Sequence, residues 1–241
     1  MAGTSRLFPR PPVRVVPGAV HLPGWLDSAG QRALAEQCRH WAATAGGMRA
    51  PRVRGGMMSV QIACLGWHWS PYRYSRTVDD DDGRPVAPFP DELDGLSRRA
   101  VADASAVDES LGVGVRAGAG AASGYRPDVA LINWYARGAK MGMHADRDEQ
   151  SPAPVVSLSL GDTCVFRFGT VAGRGRPWTD VLLESGDLFV FGGPARLAFH
   201  GVPRVLAGTA DPGAGIEGGR VNITVRQSGL DDPGSTRPAS L

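Results

Sequence analysis

Lysine is almost missing from this chain: Lys140 is the only one among 26 basic residues. Nearly every cationic contact therefore falls to arginine, whose planar guanidinium suits carboxylate and phosphate oxygens. Cysteine is scarce too. Cys38, Cys64 and Cys164 are odd in number and widely spaced, which excludes a disulfide framework and a CxxC zinc site and leaves three buried thiols as the expectation. No apolar run approaches the about 18 residues of a membrane span, and the opening MAGTSRLFPRPPVRVVPG lacks a signal-peptide core. A cytoplasmic protein with no membrane partner is expected. Net charge is only +2, too little to announce a nucleic-acid partner by itself. Glycine and proline are abundant instead, at 33 and 19 residues without a collagen period, which argues against a long helical bundle. With 42% hydrophobic residues over 241 positions, one soluble domain is the natural expectation.

Polar, proline-bearing ends predict loose tails over 1–18 and 229–241, with one folded domain over 19–228. Ser28 and Gln31 resemble a capping box, and Leu34, Cys38, Trp41 and Ala45 recur at helical spacing after it. A second amphipathic helix opens near Asp91, with Leu93, Leu96, Ala100, Val101 and Ala104 on one stripe. Between them, residues 52–90 interleave aromatics with Arg between Gly and Pro boundaries, the texture of a lid. The run Asp79 to Asp82 lacks the ligand alternation of a calcium loop and reads as a solvated turn. Short alternating strands come next, at 130–136, 155–161, 163–169, 180–193, 196–202 and 220–227. Helices first and strands later predict an α+β fold, with helices packed on a jelly roll of antiparallel strands spanning about 130–228.

Five histidines are present, and His144 stands two residues before Asp146. On a strand or at its exit, i and i+2 share a side, so an imidazole and a carboxylate can meet one metal. Chance alone gives about 0.4 such pairs in a chain with 18 Asp, so the pair needs support. His200 can supply it from the end of a later strand. Two His and one Asp leave coordination positions open, as in non-haem Fe(II) oxygen chemistry; zinc hydrolysis is the competing use. On the last strand Arg220, Asn222, Thr224 and Arg226 share one face. Two buried Arg there need an anion, either a dicarboxylate ligand or a protein carboxylate such as Asp187 or Glu184.

Taken in chain order, Asn133-Trp-Tyr135-Ala-Arg-Gly-Ala-Lys140-Met-Gly-Met-His144-Ala-Asp146-Arg-Asp148-Glu149, Val156-Ser-Leu-Ser-Leu-Gly161, Gly186-Asp187, His200-Gly201 and Arg220-Val-Asn222-Ile-Thr224-Val-Arg226 resemble the bacterial AlkB family of Fe(II)- and 2-oxoglutarate-dependent nucleic acid dealkylases. The resemblance runs from about residue 17 to 228, and Gly55-Gly-Met-Met-Ser-Val60 and Leu65-Gly-Trp67 extend it into the lid. It implies a double-stranded β-helix with a nucleotide-recognition lid. It also implies iron ligation by His144, Asp146 and His200, and 2-oxoglutarate binding by Arg220 and Arg226 with support from Asn133, Tyr135 and Asn222. Trp67 falls at the base-stacking position and Asp148 where the exocyclic amino group is read. Tyr72 and Arg174 lie near backbone-contacting positions. Departures at Met57, Met58 and the Gly-rich segment 205–219 bear on substrate recognition.

The activity implied by the resemblance is oxidative demethylation of N-alkylated bases of the 1-methyladenine and 3-methylcytosine type, with O2 and 2-oxoglutarate as co-substrates and formaldehyde, succinate and CO2 as products. The expected partner is alkylated single-stranded or duplex DNA, or RNA, and the expected state is a monomer. Competing readings are an Fe(II)/2-oxoglutarate hydroxylase or demethylase acting on tRNA or protein and, last, a non-catalytic nucleic-acid-binding module. Because an open metal site contributes chemistry more than stability, loss of His144 or Asp146 is expected to leave the fold largely intact.

Overall fold

Alternation in the second half of the chain becomes two facing antiparallel sheets. The structure, a computed structural model, describes residues 10–53, 55–112 and 124–230. Seven strands form the larger sheet: β1 (Val13–Val16), β2 (Ala19–Leu22), β5 (Val60–Leu65), β8 (Val129–Tyr135), β10 (Val155–Gly161), β13 (Leu188–Phe191) and β15 (Arg220–Arg226), in the order β1-β2-β13-β10-β15-β8-β5. The smaller sheet orders β12 (Thr179–Leu183), β11 (Cys164–Phe168), β14 (His200–Val205) and β9 (Met141–His144). Strands far apart in sequence thus lie side by side, as a jelly roll requires. Two short ribbons, β3 (Arg52–Val53) with β4 (Gly56–Met57) and β6 (His68–Ser70) with β7 (Arg73–Ser75), stand beside them.

Period-two alternation divides the interior into two layers. Val221, Ile223 and Val225 of β15 join Ile132, Leu158 and Val190 in a core shared with helices α1 (Ser28–Thr44) and α2 (Asp91–Ser105). The helices deliver Leu34, Cys38, Trp41, Leu93 and Val101 to it, each fully buried large side chain contributing about 1.5–3 kcal/mol. Between the sheets lies a second core that includes Phe166, Phe168, Phe189 and Phe191. The remaining positions of β15, Arg220, Asn222, Thr224 and Arg226, face this inner side and are all buried. All three cysteines are buried and free.

Several boundaries differ from the sequence reading. The N-terminal tail does not extend to residue 18, because β1 pairs with β2 and β2 with β13, while Arg10 and Arg14 are held by Asp187 and Asp108. Residues 1–9 and 231–241, the rest of the expected tails, lie outside the described residues. The segment expected to form a lid, 52–90, is not all peripheral: β5 is a core strand with five of its six residues buried, paired with β8, and the ribbons β3–β4 and β6–β7 flank it. The cap of α1 is the Asp27 carboxylate, accepting from Gly30 N at 2.7 Å, and not a Ser28/Gln31 box; Gln31 Nε2 donates to Leu26 O instead. The strand expected over 196–202 begins at His200 and runs on to Val205. The Gly-rich segment 205–219 packs Ala214 and Ile216 into buried positions, is bonded to α1 by Arg39, and lines none of the central cavity.

Candidate active site

Strand pairing brings the candidate metal ligands together. His200 at the start of β14 lies opposite His144 at the end of β9, with ring centroids 4.5 Å apart. Asp146, two residues beyond His144, presents Oδ1 3.7 Å from His144 Nε2 and Oδ2 3.8 Å from His200 Nε2. Ligand atoms of all three lie within 4.8 Å of one another, and they form the metal-type cluster among the described residues. Each histidine commits Nδ1 to a nearby carbonyl, His144 to Gly142 O at 2.9 Å and His200 to Ala198 O at 3.0 Å. With Nδ1–H donating there, Nε2 keeps its lone pair for a metal. Burial, reinforced by His144, lowers the His200 pKa to about 4, so the imidazole is neutral and ready to ligate. Burial raises Asp146, but Arg226 and then His200 and His144 more than offset it and hold the carboxyl below its usual range. Its Oδ2 accepts no hydrogen bond. An anionic oxygen that accepts no hydrogen bond, set beside two imidazoles whose Nδ1 atoms are engaged by carbonyls, suits a divalent cation, so these residues fit Fe(II).

A network missed by the sequence reading holds this cluster from behind. Arg226 Nη2 reaches Asp146 Oδ1 at 3.0 Å, so its protein partner is the candidate metal ligand and not Asp187 or Glu184. Those two carboxylates are engaged elsewhere, Asp187 by Arg10 and His21 and Glu184 by Arg10. Arg226 Nη1 donates to the Tyr74 hydroxyl at 3.0 Å, which donates in turn to Glu149 Oε1 at 2.6 Å. Burial keeps that hydroxyl above its ordinary pKa, hence protonated. Arg196 completes the frame by donating to Asp146 O, Ala153 O and Glu149 Oε2. Glu149 stood in the motif, but nothing in its spacing marked the contact with Tyr74, which arrives from the lid.

Arg220 is different. It is only 1% exposed, with Nη2 donating to Ser159 Oγ at 2.9 Å and with Nε and Nη1 buried without a partner. Burying a guanidinium this way is costly unless an anion completes it, and a dicarboxylate would do so bidentately. Register explains the polar cradle around it. Asn222 lies opposite Asn133 on β8 and Ser159 on β10, Arg220 opposite Tyr135, and Thr224 opposite Ser157. Asn133 Nδ2 and Thr224 Oγ1 both approach Asn222 Oδ1, at 3.3 and 2.9 Å, and Asn222 Nδ2 donates to Ser157 Oγ at 2.8 Å. Together with the triad, Asn133, Tyr135, Ser157, Arg220, Asn222 and Thr224 line one cavity of about 860 Å³, ample for a small-molecule co-substrate and part of a second reactant.

The substrate side requires a correction. Trp67 does not face this cavity. It is 8% exposed and packed in the inner core, with Nε1 donating to Asp128 Oδ2 at 3.1 Å and the Arg76 guanidinium 3.7 Å from the ring centroid. Trp69 lines the cavity in its stead, its Nε1 donating to Asp148 Oδ2 at 2.8 Å. The cause is a turn: Gly66 at φ +79° ends β5, where a Cβ would collide with Asp128 O, and the next strand starts only at His68. Asp148, Tyr72 and Arg174 all line the cavity. Tyr72 is 72% exposed at the β6–β7 turn, and Arg174 lies 5.9 Å from the Phe199 ring centroid. Trp67→Ala is expected to cost about 3–5 kcal/mol of stability, as for other buried Trp truncations, and Trp69→Ala less, because Trp69 is only partly buried against the same core; thermal unfolding of the two variants distinguishes them.

A jelly roll whose mouth carries an open two-His, one-Asp face beside an unsatisfied buried arginine is built as a non-haem Fe(II) oxygenase taking an anionic co-substrate. A family model described as the 2OG-Fe(II) oxygenase superfamily matches residues 18–226. The chain is 40% identical over 228 residues to the alpha-ketoglutarate-dependent dioxygenase AlkB homolog of Caulobacter vibrioides, covering 90% of each chain. It is 30% identical over 223 residues to the DNA N(6)-methyladenine demethylase ALKBH1C of Arabidopsis thaliana, covering 88% of this chain and 48% of that one. The solved structure of OsALKBH1 superposes with a TM-score of 0.75 at 35% identity, covering 89% of this chain and 100% of that one. The chain belongs to the 2OG-Fe(II) oxygenase superfamily and, within it, to the AlkB family. Its cofactors are Fe(II) and 2-oxoglutarate. Among the described residues no helix is long and apolar enough to cross a membrane.

Proposed function

We propose that the protein removes N-linked methyl groups from nucleic acid bases by oxidation, acting as a cytoplasmic monomer through a single catalytic unit that runs from β1 to β15. The observation that carries this reading is the joint lining of one cavity by the metal triad, the unsatisfied Arg220 and the Trp69–Asp148 pair. Fe(II), with 2-oxoglutarate and O2, supplies oxidative decarboxylation coupled to hydroxylation of a C–H bond. The chain's own residues do the rest. His144, Asp146 and His200 hold the metal, and Arg226 fixes Asp146. Arg220 takes the far carboxylate of 2-oxoglutarate, with Ser159 and Tyr135 beside it, while Asn133 and Asn222 brace the cradle. Trp69 offers a flat face for an extruded base, worth roughly 1–3 kcal/mol in stacking. Asp148, with Oδ2 engaged by Trp69, has Oδ1 available to accept from the exocyclic amino group of adenine or cytosine. Arg174 and Tyr72 at the mouth meet the phosphate backbone. Hydroxylation of the methyl carbon gives a hemiaminal that collapses to formaldehyde and the unmodified base. A methylated pairing nitrogen also weakens pairing and so lowers the cost of extrusion.

Alkylated DNA, single-stranded or duplex, is the proposed partner, with RNA as the alternative; the demethylase relative, named for a DNA substrate, supports the first. The deciding experiment incubates the protein aerobically with Fe(II), 2-oxoglutarate and matched DNA and RNA oligonucleotides bearing 1-methyladenine, 3-methylcytosine or N6-methyladenine. Loss of the methyl group by mass spectrometry, with equal succinate and formaldehyde, is expected on DNA. Succinate release with no methyl loss from any oligonucleotide would overturn the reading and favour a protein substrate.

A further inference from the structure

The run Asp79 to Asp82 is more than a solvated turn. Three of its carboxylates are engaged close by in sequence: Asp79 with Thr77 and Arg73, and Asp81 and Asp82 with Arg84. Asp80 alone reaches across the lid. Its Oδ1 lies 2.6 Å from His68 Nε2, and its Oδ2 accepts from Arg49 Nη1 at 2.7 Å. The same Arg49 guanidinium donates through Nη2 to Trp69 O at 2.5 Å. Trp69 N donates to Cys64 Sγ at 3.4 Å, tying the peptide to core strand β5. On a strand, adjacent side chains point to opposite sides; accordingly His68 is buried against Asp80 while Trp69 turns to the cavity.

We propose that Asp80 is a positioning residue: through His68 and Arg49 it fixes β6 from behind and so sets the Trp69 indole against Asp148 in the active-site cavity. The proposal rests on the reading of Trp69 as the base-stacking face. One carboxylate grips both the side chain of residue 68 and, by way of Arg49, the carbonyl of residue 69, so the strand can neither rotate nor slide without breaking a charge-assisted bond. The far end of the indole is bonded to Asp148, two residues from the ligand Asp146. Lid and metal loop are thereby held in one geometry before substrate arrives, and preorganisation of this kind supports affinity.

Asp80→Asn tests this, because the neutral amide takes the charge out of both bonds and leaves one acceptor oxygen where the carboxylate engages His68 and Arg49 through two. Two readouts are taken on the metal-loaded protein with 2-oxoglutarate under anaerobic conditions. The first is the indole N–H resonance of Trp69, identified by its disappearance in Trp69→Phe; it is expected to shift in Asp80→Asn while that of Trp134, on the helix side of the larger sheet, stays in place. The second is affinity for a fluorescein-labelled oligonucleotide carrying 1-methyladenine. It is expected to fall roughly 5- to 20-fold, part of the loss expected in Trp69→Ala. In the Trp69→Ala background Asp80→Asn should add less than about twofold, since coupled residues are not additive. Arg49→Lys, which keeps the charge but offers one nitrogen where two are used, should give the same pattern. An unmoved Trp69 resonance, or losses that add fully, would overturn the positioning role. If Trp69→Ala itself leaves affinity unchanged while the resonance still shifts in Asp80→Asn, the clamp stands and the base-stacking reading falls.

Discussion

In His144→Ala, succinate release from 2-oxoglutarate falls at least about a hundredfold, beyond the 10- to 100-fold that loss of a supporting partner of a ligand brings, and bound iron falls with it. Melting temperature barely moves. The His144 side chain is 38% exposed at the cavity and makes one local bond, to Gly142 O, so its removal costs less than about 1 kcal/mol. Asp146→Ala loses turnover as fully but behaves differently as a fold. Its carboxylate is the ion-pair partner of a buried Arg226, and removing one member of a buried pair costs about 3–5 kcal/mol. For a domain of this size that is a fall of roughly 6–20 °C in Tm. Arg226 keeps Tyr74 and Glu149, which moderates the loss. The expectation of an intact fold is therefore kept for His144→Ala and revised for Asp146→Ala. Iron content, succinate release and thermal unfolding of the two variants check it, and retained turnover in both would remove the triad from the mechanism.

Arg220→Lys raises the Kd for 2-oxoglutarate by roughly 30- to 150-fold, equivalent to about 2–3 kcal/mol, although the charge is unchanged. The two nitrogens without a partner, Nε and Nη1, belong to a planar fork that can bind both oxygens of a carboxylate. An ammonium on a flexible stem offers a point charge and must also replace the bond to Ser159. Saturating 2-oxoglutarate should restore much of the turnover, because the metal ligands are untouched. Isothermal titration with 2-oxoglutarate measures the effect; an unchanged Kd would make Arg220 a structural residue.

Two positions apart on one strand, side chains share a face, and that simple rule carried much of this protein. It placed Arg220, Asn222, Thr224 and Arg226 on one side of β15 and the valines and isoleucine on the other, and it marked His144 and Asp146 as a pair. These patterns are local, so they were legible in the chain, and the ordered motifs extended them to iron and 2-oxoglutarate. Tertiary structure decided which surface each pattern meets. The ordered motifs put Trp67 at the stacking position and leave Trp69 to packing, yet the Gly66 turn takes Trp67 out of the strand and into the core, leaving Trp69 at the cavity. Asp80 reads as one of four solvated carboxylates, and the protein carboxylates that the sequence suggests for Arg226, Asp187 and Glu184, are not the ones it meets. The contacts of Asp80 and Arg226, to His68 and Arg49 and to Asp146 and Tyr74, join segments 12 to 152 residues apart. Such contacts are set by how sheets and ribbons close on one another, which no local period encodes.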